Sequence, residues 1–365
     1  MEHPETLEIR WAITNTKHKD QSAQFRGHRK ALDASSRAGV SQKTAAIIVN
    51  WNSGSLLEQC IFALQRQTVR LDKIVVVDNA SKDGSLELVE KHYPEIALTR
   101  LKENMGFAAA NNLAVAHVAD CHWITLVNPD AFPEPEWLEK LMEAAQAYPV
   151  YSSYASRMLL NEDRTRLDGA GDVYHTSGGA WRRGHNQATH KSDFKKGEVF
   201  GACAGAALYR RDAFLDVGGF DEGYFCYFED VDLAFRLRLA GYRCLYVPEA
   251  VVHHVGSATM GERSDFTTYH GQRNLVWTYF KDMPWPLFWL YLPQHLLLNM
   301  AMLVWYSVRG QAWVIWKAKW DALKGLPRIL RERRRVQATR CASAWTLRHV
   351  MAKGLLTPYL WRQNQ

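Results

Sequence analysis

Ala45-Ala-Ile-Ile-Val49-Asn50-Trp51-Asn52 is an apolar run that breaks into a polar loop, the pattern of a buried parallel strand ending at a site. The chain after it repeats the pattern. A helical stretch over 55–67 leads to Lys73-Ile-Val-Val-Val77, with Asp78-Asn79 at its end. Ser81-Lys-Asp-Gly84 turns into a helix over 85–92, a third strand covers 97–101, and an Ala-rich helix covers 106–119. His122-Trp-Ile-Thr-Leu-Val127 is the fourth strand and stops at Asn128-Pro129-Asp130, ahead of a helix over 133–147. Four strand–helix alternations predict an α/β fold with a parallel, doubly wound sheet. Such sheets bind ligands beyond the carboxyl ends of their strands. Asn50, Asn52, Asp78 and Asp130 all fall there.

Outward from this core the pattern loosens. Residues 1–43 are polar and aperiodic and read as a loose extension. Met1–Arg10 holds three Glu and no apolar run, so no secretory leader is expected. Residues 150–200 are rich in Gly and read as strands and loops covering the site. Beyond them come a small-residue segment over 200–209, a short helix over 210–217, a turn at Gly218-Gly-Phe-Asp221, a helix over 230–240 closed by Gly241, and a strand over 242–247 that runs into Pro248. The six Cys form no CxxC pair and no zinc spacing, which fits a reducing compartment.

The net charge of +7 is local. Residues 309–335 carry nine Lys/Arg against Asp321 and Glu332, a net of +7, so the remainder sums to zero. That distribution speaks against a general affinity for nucleic acid. No GxxxxGK[ST] loop occurs and no GxGxxG follows the first strand, which excludes P-loop and nicotinamide-binding readings.

Four constellations carry possible chemistry. Asp78 at a strand end can accept hydrogen bonds from a ribose or base; Asp in that setting also closes its own turn. Asn128-Pro129-Asp130 offers oxygen ligands to Mg²⁺ or Mn²⁺, which favour one or two carboxylates plus substrate phosphates; Asn-Pro also simply stops strands. Asp221-Glu222 and Glu229-Asp230-Val231-Asp232 place carboxylates among Tyr224, Phe225, Tyr227 and Phe228. One of them could act as a general base, while Asp230 also stands where an N-cap would open the next helix. His253-His254 could complete a metal shell, but neighbours on a strand point opposite ways, so at most one faces the site.

Taken in order, Ile47-Ile-Val-Asn-Trp-Asn52, Val77-Asp-Asn-Ala-Ser-Lys-Asp-Gly-Ser85, Glu103-Asn-Met-Gly-Phe107 with Asn112, Leu126-Val-Asn-Pro-Asp130, Val217-Gly-Gly-Phe-Asp-Glu222, Tyr227-Phe-Glu-Asp-Val-Asp-Leu233 and Tyr246-Val-Pro-Glu249 with His254 resemble family 2 glycosyltransferases, most closely the rhamnosyltransferase-like branch. The resemblance spans residues 44–260. It implies a GT-A fold, a Rossmann-like and mostly parallel sheet flanked by helices, and inverting transfer of a sugar, rhamnose among the candidates, from a dTDP- or UDP-sugar to a glycan or lipid-linked glycan in cell-surface polysaccharide synthesis. It implies that Asn50, Asn52, Asp78, Asn104, Asn112 and Asn128 serve the donor. Asp130 and His254 would hold Mg²⁺ or Mn²⁺, and Asp230, with Glu229 beside it, would be the base. Many relatives carry Asp-x-Asp where this chain has Asn128, which removes one charge from the metal site. A sugar-nucleotide pyrophosphorylase would want a basic, Gly-rich loop after the first strand, where this chain has Asn-Trp-Asn-Ser-Gly. A non-catalytic glycan- or membrane-binding protein on the same scaffold would have no use for Asp130 and Asp230.

Residues 44–280 are thus expected to be the catalytic domain and 281–365 an apolar, then basic, helical region on the membrane. Residues 284–308 contain no Asp, Glu, Lys or Arg, a length that could cross a bilayer. Pro286 and Pro293 interrupt the stretch, and Gln294, His295 and Asn299 are polar. A single crossing would separate the catalytic domain from the basic segment, against the positive-inside rule. An interfacial helix carrying Trp313, Trp316, Trp320 and Leu323 keeps both on the cytoplasmic face of the inner membrane, as a peripheral or monotopic protein on anionic lipid; the competing reading is an ordinary core helix pair.

Overall fold

A computed structural model describes residues 43–189, 194–256 and 264–360. The extension expected over 1–43 lies, apart from Lys43, outside these residues.

The nucleating strand β1 (Thr44–Asn50) is buried along its whole length. It pairs in parallel with β2 (Lys73–Asp78) on one side and β4 (Trp123–Val127) on the other, and β2 pairs in parallel with β3 (Ala97–Arg100). The intervening helices α1 (Leu56–Gln65), α2 (Ser85–His92) and α3 (Gly106–Ala116) cover the two faces. Alternation along β1 sorts them. Ala46 and Ile48 pack with Leu57, Ile61 and Leu64 of α1 and with Trp137 and Leu141 of α4 (Trp137–Ala147). Ala45 and Ile47 pack with Ala108, Ala110 and Ala114 of α3 on the opposite face.

The sheet continues past β4 as a mixed sheet. The short strand β5 (Ala131–Pro133) follows β4, and β6 (Ser153–Leu160) joins the main sheet instead of covering the site. Three short strands come next, β7 (Leu167–Gly169), β8 (Asp172–Tyr174) and β9 (Ala180–Arg182), and then β10 (Gly197–Val199) and β11 (Ala206–Arg210). β11 is antiparallel to both β4 and β6. After α5 (Arg211–Asp216) and α6 (Glu229–Leu239), β12 (Cys244–His254) pairs in parallel with β6 and antiparallel with β5 and β10. Pro248 does not end β12. The register shifts between Val247 and Val251, and at such a bulge a residue without an N–H costs no ladder bond. The strand therefore continues to the two histidines.

Three long helices close the chain: α7 (Asp265–Asp282), α8 (Trp285–Tyr306) and α9 (Ala312–Ala338), with short α10 (Ala344–Val350) and α11 (Thr357–Leu360) behind them. α8 runs straight through Pro293, and Pro286 sits in its first turn, where a proline is tolerated. Gly310, at φ 85°, breaks the chain between α8 and α9. Residues from Lys43 onward form one compact unit.

Candidate active site

One polar cluster is assembled by the ends of β1 and β2. Asn50 is fully buried, and its Nδ2 donates to Asp78 Oδ1 at 2.8 Å, Ser85 Oγ at 2.8 Å and Ser81 Oγ at 3.1 Å. Asp78 Oδ2 accepts from the Ser81 amide at 3.0 Å. Asn52, at φ 49°, accepts from the Lys82 amide at 2.8 Å. Asn79 accepts from the Met105 amide, and Asn104 accepts from the Gly106 amide, both at 2.9 Å. Asn112 stands further off: its amide exchanges two hydrogen bonds with the backbone of Phe220, both 2.9 Å, and staples α3 to the turn that precedes the acidic segment.

At the centre, Asn128 and Asp130 leave β4 beside His254. His254 Nε2 lies 3.2 Å from Asp130 Oδ1, at ion-pair distance but without a well-directed hydrogen bond. Its Nδ1 meets Asp168 Oδ2 at 2.9 Å, and Asp168 in turn is paired with Arg182. His253 points the other way, to Glu134 at 3.0 Å. Burial opposes a charge on His254, but Asp130 and Asp168 outweigh it and raise its pKa to about 9. Asp168 and Arg182 were not found by sequence reasoning, since a lone Asp and a lone Arg in a Gly-rich stretch carry no signature.

The acids divide. Asp221 is taken by Lys281 at 2.7 Å and Arg328 at 2.8 Å, and Asp232 by Arg236 at 2.6 Å and by Lys281. Glu229 and Asp230 have no cation at ion-pair distance among the described residues, although the more distant Arg182 charge acts on Asp230. Asp230 is not the N-cap; α6 starts one residue earlier, at Glu229, with Phe228 before it at φ 69°. Asp230 accepts from its neighbour Val231 at 2.8 Å and from the Ala204 amide at 3.3 Å. On the same loop, the Gly205 carbonyl accepts from the Asn128 amide at 2.8 Å, so the loop joins the Asn128–Asp130 strand end to Asp230. Burial raises the Asp230 carboxyl. Burial and then the charge of Asp230 push Glu229 well above the usual carboxylate range, and the same two causes act on Asp172.

The segment that delivers these acids is strained. Phe225, Tyr227 and Phe228 all have positive φ, at 67°, 63° and 69°, each costing about 1–3 kcal/mol for a non-glycine residue. One side chain holds it. Asn274 of α7, fully buried, donates from Nδ2 to the carbonyls of Tyr224 (3.0 Å), Cys226 (2.9 Å) and Tyr227 (2.7 Å), and Arg273 adds a bond to Tyr224 at 2.9 Å. Gly106 allows the approach: at φ 85°, a Cβ there would meet Phe225 at 2.6 Å. Asn274 lies beyond the stretches quoted from the sequence, and its role depends on a loop geometry that no spacing encodes.

Whether these residues fit a divalent ion can be tested on the donors. Among the described residues no group of three His, Cys, Asp or Glu could hold an ion by itself. Asp130 and His254 instead present two converging donors, with His254 oriented by Asp168 as ligating imidazoles are oriented. That fits an ion completed by diphosphate oxygens.

A parallel half with polar strand ends, joined to a mixed half that presents unpaired acids, defines a glycosyltransferase of the GT-A class. Glycosyl transferase family 2 matches residues 45–218, and glycosyl transferase family group 2 matches residues 191–318. The chain belongs to glycosyltransferase family 2 and resembles its rhamnosyltransferases. It is 27% identical over 289 residues to N-acetylglucosaminyl-diphospho-decaprenol L-rhamnosyltransferase of Mycobacterium tuberculosis strain H37Rv, covering 70% of this chain and 93% of that one. It is 28% identical to the O-antigen chain rhamnosyltransferase RfbN of Salmonella typhimurium, covering 62% and 70%. In fold it is similar to GalNAc-T7, solved with UDP, GalNAc and Mn²⁺, at TM-score 0.55 and 15% identity, over 67% of this chain and 48% of that one.

Proposed function

We propose that the chain moves a sugar, rhamnose first among the candidates, from a dTDP- or UDP-sugar to a lipid-linked glycan during cell-surface polysaccharide synthesis, with inversion at the anomeric carbon. The observation that carries this reading is Asp230: a buried carboxylate with a raised pKa in the first turn of α6, without an ion-pair partner among the described residues and joined through Ala204 and Gly205 to the Asn128–Asp130 strand end. The Asp230 carboxylate takes the proton of the acceptor hydroxyl as that oxygen attacks the anomeric carbon. The bond from that carbon to the diphosphate breaks and the nucleoside diphosphate leaves. A raised pKa makes the carboxylate a stronger base at working pH. Asn50, Asp78 and the Ser81–Ser85 turn hold the nucleoside. Asp130 and His254 would hold Mg²⁺ or Mn²⁺, which supplies positive charge to the departing diphosphate. Relatives named for diphospho-decaprenol and O-antigen acceptors support a lipid-linked acceptor.

The C-terminal helices support a position on the cytoplasmic face of the inner membrane. α8 is long and apolar enough to cross a membrane, but one side of it is docked on the protein. His295 is buried, stacks on Tyr279 at 3.9 Å and meets the Ser177 carbonyl at 2.8 Å. The other side leaves Trp289, Leu296, Met300 and Val304 exposed. On α9, Trp313, Trp316, Trp320 and Leu323 are exposed at helical spacing. A helix with one face packed on its own protein and the other apolar lies in the interface. The basic segment is partly spent internally, since Arg328 holds Asp221, Arg333 reaches the Phe280 carbonyl and Lys319 reaches Gln272.

The test is stereochemical. With dTDP-rhamnose and a polyprenyl-diphosphate glycan acceptor, the product linkage read by NMR should have the anomeric configuration opposite to the donor's; retention would overturn the assignment of Asp230 as base.

A further inference from the structure

We propose that a cavity behind α8 holds the phosphate of the lipid-linked acceptor, with its hydrocarbon leaving along the exposed face of that helix. The proposal rests on the lipid-linked acceptor argued above. The cavity has a volume of about 490 Å³ and is walled by Leu290, Pro293 and Leu297 of α8 on one side and by Leu355 on the other. Leu290, Leu297 and Leu355 are each roughly half exposed, and α8 carries the apolar surface onward through Trp289, Met300 and Val304. Walls of this kind suit hydrocarbon.

Two cations open into it, Arg348 of α10 and Lys353. Arg348 is half-buried and held in place by its Nε, which donates to Tyr291 Oη at 2.7 Å. Its two Nη atoms make no hydrogen bond among the described residues, and neither cation has a carboxylate at ion-pair distance there. A fixed guanidinium with a free edge, beside a mobile ammonium and against apolar walls, matches a phosphate attached to a hydrocarbon chain. The cavity carries no acid among its lining residues, so nothing in it competes for the cations.

Its place in the fold selects the acceptor over bulk lipid. Thr176 lines the cavity. It follows β8, whose first residue is Asp172, a buried acid whose pKa is raised by burial and then by the charge of Asp230, and whose amide donates to the Gly201 carbonyl at 2.9 Å. Thr176 is four positions after Asp172, so the two are at most about 13 Å apart along the chain. The segment is fixed at the cavity end, where the Thr176 amide donates to the Ala352 carbonyl at 3.1 Å and the Ala352 amide to Tyr174 at 2.9 Å. A phosphate held by Arg348 and Lys353 therefore lies within the reach of a short glycan from the base.

The experiment uses the full chain, dTDP-rhamnose and N-acetylglucosamine joined through a diphosphate to a polyprenol, presented in phosphatidylcholine vesicles. Lys353→Glu, which breaks no hydrogen bond in the structure, and the double variant Arg348→Glu/Lys353→Glu should raise KM for this acceptor by about tenfold per cation, the scale of a charged hydrogen bond. dTDP affinity and binding to phosphatidylglycerol vesicles should stay at wild-type values. An unchanged KM in Lys353→Glu and the double variant overturns the proposal. So does a loss of phosphatidylglycerol binding in step with the rise in KM, since the cavity would then be reading bulk anionic lipid. If the wild type uses a phosphate-free glycoside with the same KM as the polyprenyl diphosphate, the lipid-linked acceptor itself falls, whatever the variants do.

Discussion

The two halves of the cleft use the same residue types in opposite ways. At the ends of β1 and β2, Asp78 accepts from the Asn50 side-chain amide and the Ser81 backbone amide, and the Asn50 amide also donates to the Ser81 and Ser85 hydroxyls. At the start of α6, Glu229 and Asp230 are crowded by one another and by Asp172, with burial raising all three. The backbone follows the same division. Around Asp78 the turn is closed by its own side chains, whereas the residues before Glu229 are held at positive φ by a side chain from another helix. The Asp78 carboxylate is held by donors on both oxygens, although Asn50 Oδ1 beside it is buried without a partner among the described residues. A strained, under-paired network keeps a basic carboxylate available, and such strain persists only where the surroundings impose it.

The sharpest way to break this comparison is to remove the base. Asp230→Asn should cut sugar transfer by roughly a hundredfold or more, the scale of general-base catalysis, and leave nucleotide affinity as it is, because the other half of the cleft binds the donor. The pH profile adds a second readout. Burial raises the Asp230 carboxyl, so it takes up a proton at higher pH than an ordinary Asp, and wild-type kcat/KM should fall on its acid side at a pH above the ordinary Asp range. That limb should be missing from Asp230→Asn. Transfer near the wild-type rate in this variant would shift the role to Glu229.

Next in size is the centre of the cleft. Asp168→Asn takes the orienting charge from His254 Nδ1 and should weaken metal-dependent nucleotide binding about 10–100-fold, as loss of a carboxylate behind a ligating imidazole does. Binding measured in EDTA should change little. Equal affinity of the wild type for dTDP with and without Mg²⁺ or Mn²⁺ would show that Asp130 and His254 act without an ion.

Asn274→Ala probes the strained side. It removes the donor shared by three carbonyls, a cost of about 2 kcal/mol in stability, and should reduce kcat roughly tenfold by releasing the segment before Glu229, a loss that corresponds to about 1.4 kcal/mol. Nucleotide affinity should hold. If the thermal midpoint falls while kcat does not, Asn274 supports the fold and not the base.

The parallel half was legible because its physics is local: apolar runs of strand length, each ended by a polar residue, at a spacing that leaves room for a helix. Asn50, Asn52, Asp78 and Asp130 came from that pattern, whereas Asn104 and Asn112 came from the family resemblance. What escaped depends on distant partners. β6 looked like cover because 150–200 is broken by Gly, yet Ser153–Leu160 has β11 and β12 on either side. Pro248 looked like a strand end until a bulge absorbed it. Five acids looked equivalent, and only Lys281, Arg236 and Arg328, from three different helices, show that Asp221 and Asp232 are spent on holding the fold. Asn274 and Asp168 carry no local signal at all.

The smallest effect on the cleft should come from the surface that faces away from it. Trp313, Trp316 and Trp320 are 78%, 60% and 60% exposed, so replacing all three by Ser removes little packing and should leave the thermal midpoint and dTDP affinity unchanged. Removing everything after Asp282 would not isolate the same effect. It would take away Arg328, which pairs with Asp221, and the Ala322 carbonyl that accepts from Trp277 at 3.0 Å, and so strip the face of α7 that holds the strained segment. The triple variant spares those contacts. If α9 lies in the membrane interface, the variant should lose binding to phosphatidylglycerol vesicles at low salt, and with it transfer to a vesicle-bound acceptor. Wild-type binding should itself weaken as salt screens the remaining Arg and Lys. Vesicle binding by the triple variant equal to the wild type would make these tryptophans ordinary exposed side chains and leave α8 alone to meet the lipid.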